Sequence, residues 1–237
     1  MVLGKYMVSL SITDVKQILY DMGADLCKIA SVDRFNEAPK GFHPIDVLPS
    51  CKSVIVFAKK MPVGVLQCNS TIPYTVTRNT LSQELDSMSV RFCGVMEQYG
   101  IVAVPIGTLG PSRLDPETGR WRSAVSIKHC AELAGLGRIG KNTLLVTPEY
   151  GNMVWLNAII SDAILEADEM LPDNPCISNC TLCIDSCPVN ALEQKEMKQE
   201  VCHAYAFKEK DNEDWTFSCY TCRTICPNCY GTKNSLR

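Results

Sequence analysis

The sequence predicts an α+β protein in two parts: an α/β domain over residues 1–168 and a compact cysteine-rich module over residues 169–237. Three observations point there. Through the first part the apolar period switches repeatedly between that of a helix and that of a strand. Nine of the fourteen cysteines fall between Cys176 and Cys229. Inside that stretch two runs share one spacing, Cys180-x2-Cys183-x3-Cys187-Pro188 and Cys219-x2-Cys222-x3-Cys226-Pro227.

The elements follow in order. Ser11 and Asp14 have the spacing of a capping box, and Val15, Ile18, Leu19 and Met22 continue a helix that Gly23 can end. Residues 24–31 read as a strand, and 35–50 as a loop containing His43. The apolar run from Ser53 to Ala58 marks a buried strand. Residues 59–78, with Pro62 and Pro73, read as a long irregular segment of the kind that binds ligands. Leu81, Leu85, Met88, Phe92 and Val95 step along the longest helix, which ends at Gly100. A strand at 101–106 leads to a loop over 107–122, rich in glycine and proline (Gly119 among them) and holding Arg113, Arg120 and Arg122, which suit an anionic group or a solvated face. A helix at 124–134 and strands near 143–146 and 154–161 complete the domain. Pro172 and Pro175 mark its boundary, and Pro188 is placed to start a short helix through Ala191 and Leu192.

The cysteine runs carry the chemistry. Two-cluster ferredoxins of bacteria use C-x2-C-x2-C-x3-C-P, in which the cysteine before proline ligates the other cluster. Each run here needs one more ligand. Cys176 supplies it for the first run and Cys202 for the second. The expected sets are Cys176, Cys180, Cys183 and Cys226 for one [4Fe-4S] cluster, and Cys187, Cys202, Cys219 and Cys222 for the other. Cys229 is left over, to replace Cys226 or stay free. Zinc is the rival, since paired cysteines hold it tetrahedrally, but a zinc ribbon needs no Cys-Pro terminus. No CxxCH occurs, so the motif for covalent haem is absent.

Residues 135–143 read GLGRIGKNT. They match the glycines of a dinucleotide fingerprint and nearly match a P-loop, but both motifs need a strand before and a helix after. Here a helix precedes and a strand follows, which rejects both. A glycine-rich loop still allows close backbone approach to a cofactor.

The block KHCAELAGLGRIGKNTLLVTPEYG, the stretch around Ser161-Asp162-Ala163, the cysteine runs and the segment HPIDVLPSCKSVIVFA together resemble the epoxyqueuosine reductases and their relatives, the reductive dehalogenases. The resemblance implies a nitroreductase-like α/β domain followed by a two-cluster ferredoxin-like module. It also implies a cobalamin between them that reduces a substrate with electrons from the clusters. On it, Gly135, Gly137, Gly140, Lys141, Asn142 and Thr143 become the expected cofactor-binding loop, with Tyr74, Lys128 and His129 as proton-donor candidates. The family's Asp about a dozen residues before AGLG has no counterpart in WRSAVSIK, so no catalytic residue is assigned. Two other readings stand beside this one: an electron-transfer protein without organic cofactor, and a reductase that uses FMN.

The chain carries a net charge of −3. With no basic block, and with the chain ending soon after the last cysteine, the expected partners are an electron donor (a protein or a small reductant) and a small-molecule substrate. No nucleic acid and no membrane are expected. The lack of an export signal and the many cysteines set the expectation of a cytoplasmic protein.

Overall fold

The computed structural model describes residues 11–108, 110–116, 120–172, 176–194, 196–209 and 215–233. Gly119 and Pro175, read above as loop and boundary residues, lie outside the described residues. Helix α1 (Ile12–Asp21) starts at Ser11, whose hydroxyl accepts from the Asp14 amide while the Asp14 carboxylate accepts from the Ser11 amide. Strand β1 (Leu26–Ser31) follows, and the expected loop contains a short helix, α2 (Pro44–Val47), capped by the His43 ring. Strand β2 (Ser53–Lys60) pairs along its whole length with β1.

Helix α3 (Ile72–Gln98) begins earlier than the period suggests. Pro73 sits in its first turn, where proline needs no intrahelical donor, and the Ser70 hydroxyl accepts from the Ile72 amide at 3.2 Å. The expected irregular segment is therefore mostly the end of β2, a 3-10 turn at Val63–Leu66 and the first two turns of α3. Strand β3 is short (Ala103–Pro105), and the next loop carries a hairpin of β4 (Arg113–Asp115) and β5 (Arg120–Arg122). Helix α4 (Ile127–Leu133) leads into a second small hairpin, β6 (Arg138–Ile139) with β7 (Leu145–Val146), and then β8 (Val154–Ser161).

The main sheet has the order β1-β2-β8-β3, with every pair antiparallel. Strands β2 and β8 are central and buried on both faces, which is why they read as continuous apolar runs. Val54, Val56, Ala58, Ala158 and Ile160 face one apolar cluster with Cys130, Ala131 and Ala134 of the α4 region. Ile55, Phe57 and Ile159 face the opposite cluster with Val15 and Leu19 of α1 and Leu85, Met88, Phe92 and Met96 of α3. Each Val, Leu, Ile, Phe or Met side chain among them is worth about 1.5–3 kcal/mol when fully buried. The edge strand β3 ends in Pro105, which an edge tolerates.

The cysteine-rich part holds α5 (Leu182–Asp185), the hairpin β9 (Leu192–Glu193) with β10 (Glu196–Met197), α6 (Gln199–Ala206), the hairpin β11 (Phe207–Glu209) with β12 (Trp215–Phe217), and α7 (Thr221–Thr224). The expected helix through Ala191 and Leu192 is a strand instead. Ala191 is fully buried and its amide donates to the Cys187 sulfur at 3.2 Å, which takes the chain out of helical register.

The two parts are knitted together. Met61, Val65, Tyr74, Leu81 and Met153 share a third apolar cluster with Cys229. Tyr74 stacks on Tyr220 at 4.4 Å, and the Phe217 amide donates to the Thr75 hydroxyl at 3.0 Å. After the last cysteine, the Thr232 and Lys233 amides donate to the carbonyls of Pro148 and Glu149. At the end of the first part, the Asp168 carboxylate accepts from Lys16 at 2.6 Å, from the Ile29 amide at 2.8 Å and from Lys28 at 3.1 Å, which fixes the point where the second part begins.

Two tests follow from this packing. Burial raises the Asp168 pKa, but the hydrogen bonds from Lys16, Ile29 and Lys28 outweigh it and hold the pKa below the usual carboxylate value. The stabilisation is thus full above the unfolded value of about 3.9 and is lost as pH falls through the lower folded value. Asp168→Asn should cost roughly 1–3 kcal/mol at pH 7, and its acid-unfolding profile should be shallower than the parent's in that window; identical profiles would remove Asp168 from the account. For the glycines, Gly135 has φ +78°, and a Cβ there would lie 1.9 Å from the Glu169 carbonyl oxygen. Gly135→Ala should lower stability by about 2 kcal/mol or more. Gly94→Ala, on α3 with nothing within 4 Å of the added carbon, should raise it by about 0.5–1 kcal/mol; denaturant midpoints of the pair check both signs.

Candidate iron–sulfur site

The structure brings the eight expected cysteines together in two groups that cross between the runs. Cys183 has its thiol pKa raised first by burial, then by the proximity of Cys226, Cys176 and Cys180. Cys226, from the second run, feels Cys176 and Cys180 in turn. These four line one cleft with Gly140, Lys141 and Asn142. Cys202 is raised by burial, then by Cys187 and Cys219. Cys222 is pushed up to about 12 by burial, with Cys202, Cys219 and Cys183 adding to the shift and Arg223 opposing it. Cys222 thus faces both its own group and a member of the other. Thiolates this crowded repel one another, and a bound cation or cluster is what allows them all to ionise.

The leftover cysteine is elsewhere. Cys229 is 2% exposed within the third apolar cluster, and burial raises its pKa to about 11. Cys27, Cys93 and Cys130 are also buried and have raised pKa values. Among the described residues, no three or more His, Cys, Asp or Glu stand close enough to hold a single metal ion.

Residues 135–143 form the joint between the two parts rather than an open cradle. A Cβ on Gly135 would meet the Glu169 carbonyl, one on Gly137 would lie 2.6 Å from the Val146 carbonyl oxygen, and one on Gly140 would lie 3.6 Å from the Cys176 sulfur. The close approach that these glycines permit is therefore to the chain itself. The Lys141 amide donates to the Cys176 sulfur at 3.3 Å, and its ammonium donates to the Cys180 carbonyl at 2.8 Å. The Asn142 side-chain amide donates to the Cys222 carbonyl at 3.0 Å. Thr143, at φ +58°, accepts on its carbonyl from the Lys128 ammonium at 2.6 Å. The loop touches both cysteine groups and leaves none of these polar groups directed at an external cofactor.

The proton-donor candidates are scattered. Tyr74 is 3% exposed in the third apolar cluster. Lys128 is held by Thr143, and desolvation lowers its pKa. His129 contacts the Ser126 hydroxyl through Nδ1 at 2.7 Å, and desolvation and the Lys128 charge lower its pKa. Of the three arginines, Arg122 pairs with Asp115 at 2.8 Å and lies over Phe42, Arg120 reaches Glu196 at 3.5 Å, and Arg113 is exposed.

Sequence reasoning missed two residues here. Arg223, only 4% exposed, sits between the ligand candidates Cys222 and Cys226, and the Asn152 side chain donates to its carbonyl at 3.1 Å. A charged residue inside a cysteine run was the available signal for Arg223. Asn152, in an unremarkable GNM, offered none.

No family model matches the chain. An epoxyqueuosine reductase of Listeria monocytogenes is 36% identical over 107 residues, which is 41% of this chain and 28% of that protein. One of Gloeobacter violaceus is 38% identical over 115 residues, covering 44% of this chain and 35% of that protein. The matches thus span about a third of these curated relatives. Solved structures extend the likeness to nearly the whole chain. A reductive dehalogenase described for B12-dependent dehalogenation superposes with a TM-score of 0.66 at 17% identity, over 96% of this chain and 33% of that one. An epoxyqueuosine reductase in complex with an epoxyqueuosine-modified tRNA-Tyr stem loop superposes with a TM-score of 0.63 at 21% identity, over 92% of this chain and 65% of that one. That complex overturns the expectation that nucleic acid is excluded as a partner. The expectation rested on the acidic balance, the lack of a basic block and the end of the chain soon after the last cysteine; a charge total sums over the whole surface and is silent on where cations stand, and Arg113 is exposed on the β4–β5 hairpin whatever the total. Among the described residues no helix is long and apolar enough to cross a membrane. The chain is thus similar in sequence, over its matched part, to the epoxyqueuosine reductases, and similar in fold, over nearly all of its length, to solved epoxyqueuosine reductases and reductive dehalogenases.

Proposed function

We propose that the chain is an iron–sulfur reductase, with one [4Fe-4S] cluster held by Cys176, Cys180, Cys183 and Cys226 and a second by Cys187, Cys202, Cys219 and Cys222. The observation that carries the reading is the exchange of the last cysteine of each run, since Cys226 faces the first group and Cys187 the second. This exchange is the habit of two-cluster ferredoxins. Amide-to-sulfur hydrogen bonds at Cys176 and Cys187 suit thiolate ligands. The module at 169–237 is then ferredoxin-like in its ligands, and residues 1–168 form the nitroreductase-like partner on which it rests.

When bound, the clusters supply single electrons. The chain's own residues hold the thiols in register: Lys141 and Asn142 tie the two groups to the first domain, and Cys229 stays in the core. B12 chemistry belongs to the dehalogenase relative, but residues 135–143 do not fit the part of a corrinoid cradle, because their free space and polar groups are already used by the chain. No step is therefore routed through cobalamin. That occupied loop favours the second reading, an electron-transfer protein that passes electrons to a partner without an organic cofactor. The substrate of the reductase reading is open between a small molecule and RNA, and the tRNA-bound relative puts a tRNA stem loop among the substrates to assay.

Anaerobic reconstitution with iron and sulfide should give about eight irons per chain. Cys180→Ala and Cys202→Ala should each retain about half of that, while Cys229→Ser keeps all of it. Equal iron in the two ligand variants and the parent would sink the assignment. Titration with hydroxocobalamin followed by gel filtration then tests the loop: no corrinoid should co-elute with the iron-loaded chain, and a co-eluting corrinoid spectrum would overturn the misfit of residues 135–143.

A further inference from the structure

Three large aliphatic side chains stand exposed at the first cysteine group, and each is the chain neighbour of one of its thiols. Ile177, 62% exposed, follows Cys176; Leu182, 45% exposed, precedes Cys183; Ile225, 40% exposed, precedes Cys226. They come from three separate places: the loop before α5, the first residue of α5 and the residue that ends α7. Ile177 and Leu182 line the cleft of the four thiols, with Pro227 beside them. None of the three is part of the apolar clusters of the core. The ring they make is also without charge. Residues 176–184 and 224–230 contain no Lys, Arg, Asp or Glu, although these make up 21% of the chain. The flanking charges are withdrawn: the Asp185 carboxylate accepts from the Thr181 hydroxyl at 2.6 Å, and Arg223 is 4% exposed. The second group differs. Its one exposed aliphatic neighbour is Val201, before Cys202, and the exposed Glu200 and His203 stand on either side of that pair.

Exposed apolar groups gathered round a redox site mark a place of contact, and the chemistry of the ring narrows the occupant. A small substrate is oriented by a few convergent polar groups, and those of this cleft, Lys141 and Asn142, are bonded to the Cys180 and Cys222 carbonyls. A phosphate backbone is held by cations, and the ring offers none. The thiols at its base favour a protein carrier of single electrons, which meets them by excluding water across a small interface that forms and parts quickly. A charge buried against this ring would find no partner, so the carrier's own contact surface is uncharged and apolar as well.

Resting on the two-cluster reading above, we propose that Ile177, Leu182 and Ile225 form the docking face of a one-electron carrier protein whose redox group is set in an uncharged apolar surface. The carrier is oxidised by one electron, and the cluster held by Cys176, Cys180, Cys183 and Cys226 is reduced by one, from [4Fe-4S]2+ to [4Fe-4S]+. Because no exposed charge rings the site, the encounter is not steered by electrostatic attraction, and its rate changes little with salt.

The test is anaerobic stopped-flow mixing of the full-length, iron-loaded chain with flavodoxin hydroquinone and, separately, with a reduced two-cluster ferredoxin; dithionite serves as the small reductant for comparison. At least one carrier should reduce the native chain at a rate that saturates with its concentration and changes by less than about twofold between low and high salt. Ile177→Ser and Leu182→Ser should each lower that rate about fivefold or more and leave the iron content and the dithionite rate as they were. Should either variant lose iron, Ile225→Ser decides in its place. Ile164→Ser, at an 87% exposed aliphatic of the first domain, should change nothing. Carrier rates that the ring variants do not lower, that fall together with the dithionite rate, or that change more than this with salt overturn the proposal. So does a chain that takes electrons from dithionite and from neither carrier, and so does a native dimer that the ring variants dissociate, which gives the face to a second copy; in each case the two-cluster reading stands. No bound iron, or no reduction by dithionite, overturns the two-cluster reading and this inference with it.

Discussion

The exchange of one thiol between the two cysteine runs is the constraint on which the rest of the architecture depends. Cys226 of the second run lies by Cys176 and Cys180, and Cys187 of the first run lies by Cys202, so the segments that carry Cys187 and Cys226 must lie against each other. Helices α5 and α7 do so. Once they are paired, Ala191 is drawn inward to reach the Cys187 sulfur, and the chain beyond Pro188 becomes a strand. The Cys226-Pro227 turn likewise drops Cys229 into the core, where its carbonyl receives the Asn152 amide. Local preferences for helix or ligand at these positions yield to one geometric demand.

That demand also explains the glycine loop. A strand-turn-helix glycine motif presents its backbone to a phosphate. Here α4 comes first, Gly135 and Gly137 lie between it and β6, Gly140 opens the bend of the β6–β7 hairpin, and the backbone is presented to cysteine segments instead. Gly140 and Lys141 reach Cys176, and Asn142 reaches Cys222. The loop is the place where the first domain holds both cysteine groups at a fixed distance. A β-branched residue in the left-handed region costs on the order of 1–3 kcal/mol, and Thr143 is held there by its neighbours on both sides.

Much of this was legible in the amino-acid order. The period of Leu81, Leu85, Met88 and Phe92 reports a real core face, and the apolar run at Ser53–Ala58 reports burial on both sides of a sheet. Cysteine spacing reports which thiols the fold gathers, Cys226 with Cys176 and Cys180, and Cys187 with Cys202. The rest depends on partners distant in the chain. Pro73 reads as a break unless the helix start at Ile72 is known. Gly135 reads as part of a loop for close approach to a cofactor because its actual contact, the carbonyl of Glu169, lies about thirty residues on. Arg223 reads as a surface cation until Trp155 and Cys222 are seen around it. Net charge misled for a related reason: it is a sum, and recognition depends on positions.

The sixteen residues between Cys202 and Cys219 are long for a ligand loop, and their placement bears on how far the protein is modular. They carry β11 and β12, whose Phe207, Trp215 and Phe217 pack on one another, while the Arg78 guanidinium of α3 lies over Trp215 and Phe217. Tyr220 continues that aromatic face onto Tyr74. The apparent insertion is thus the anchor of the cysteine module to the longest helix of the other domain. A fragment excised at residue 169 would carry all eight thiols and still not be a miniature ferredoxin. It would bare an aromatic surface that its own fold has no means of covering, so the line that divides the sequence into two chemistries is not a line along which the protein can be taken apart.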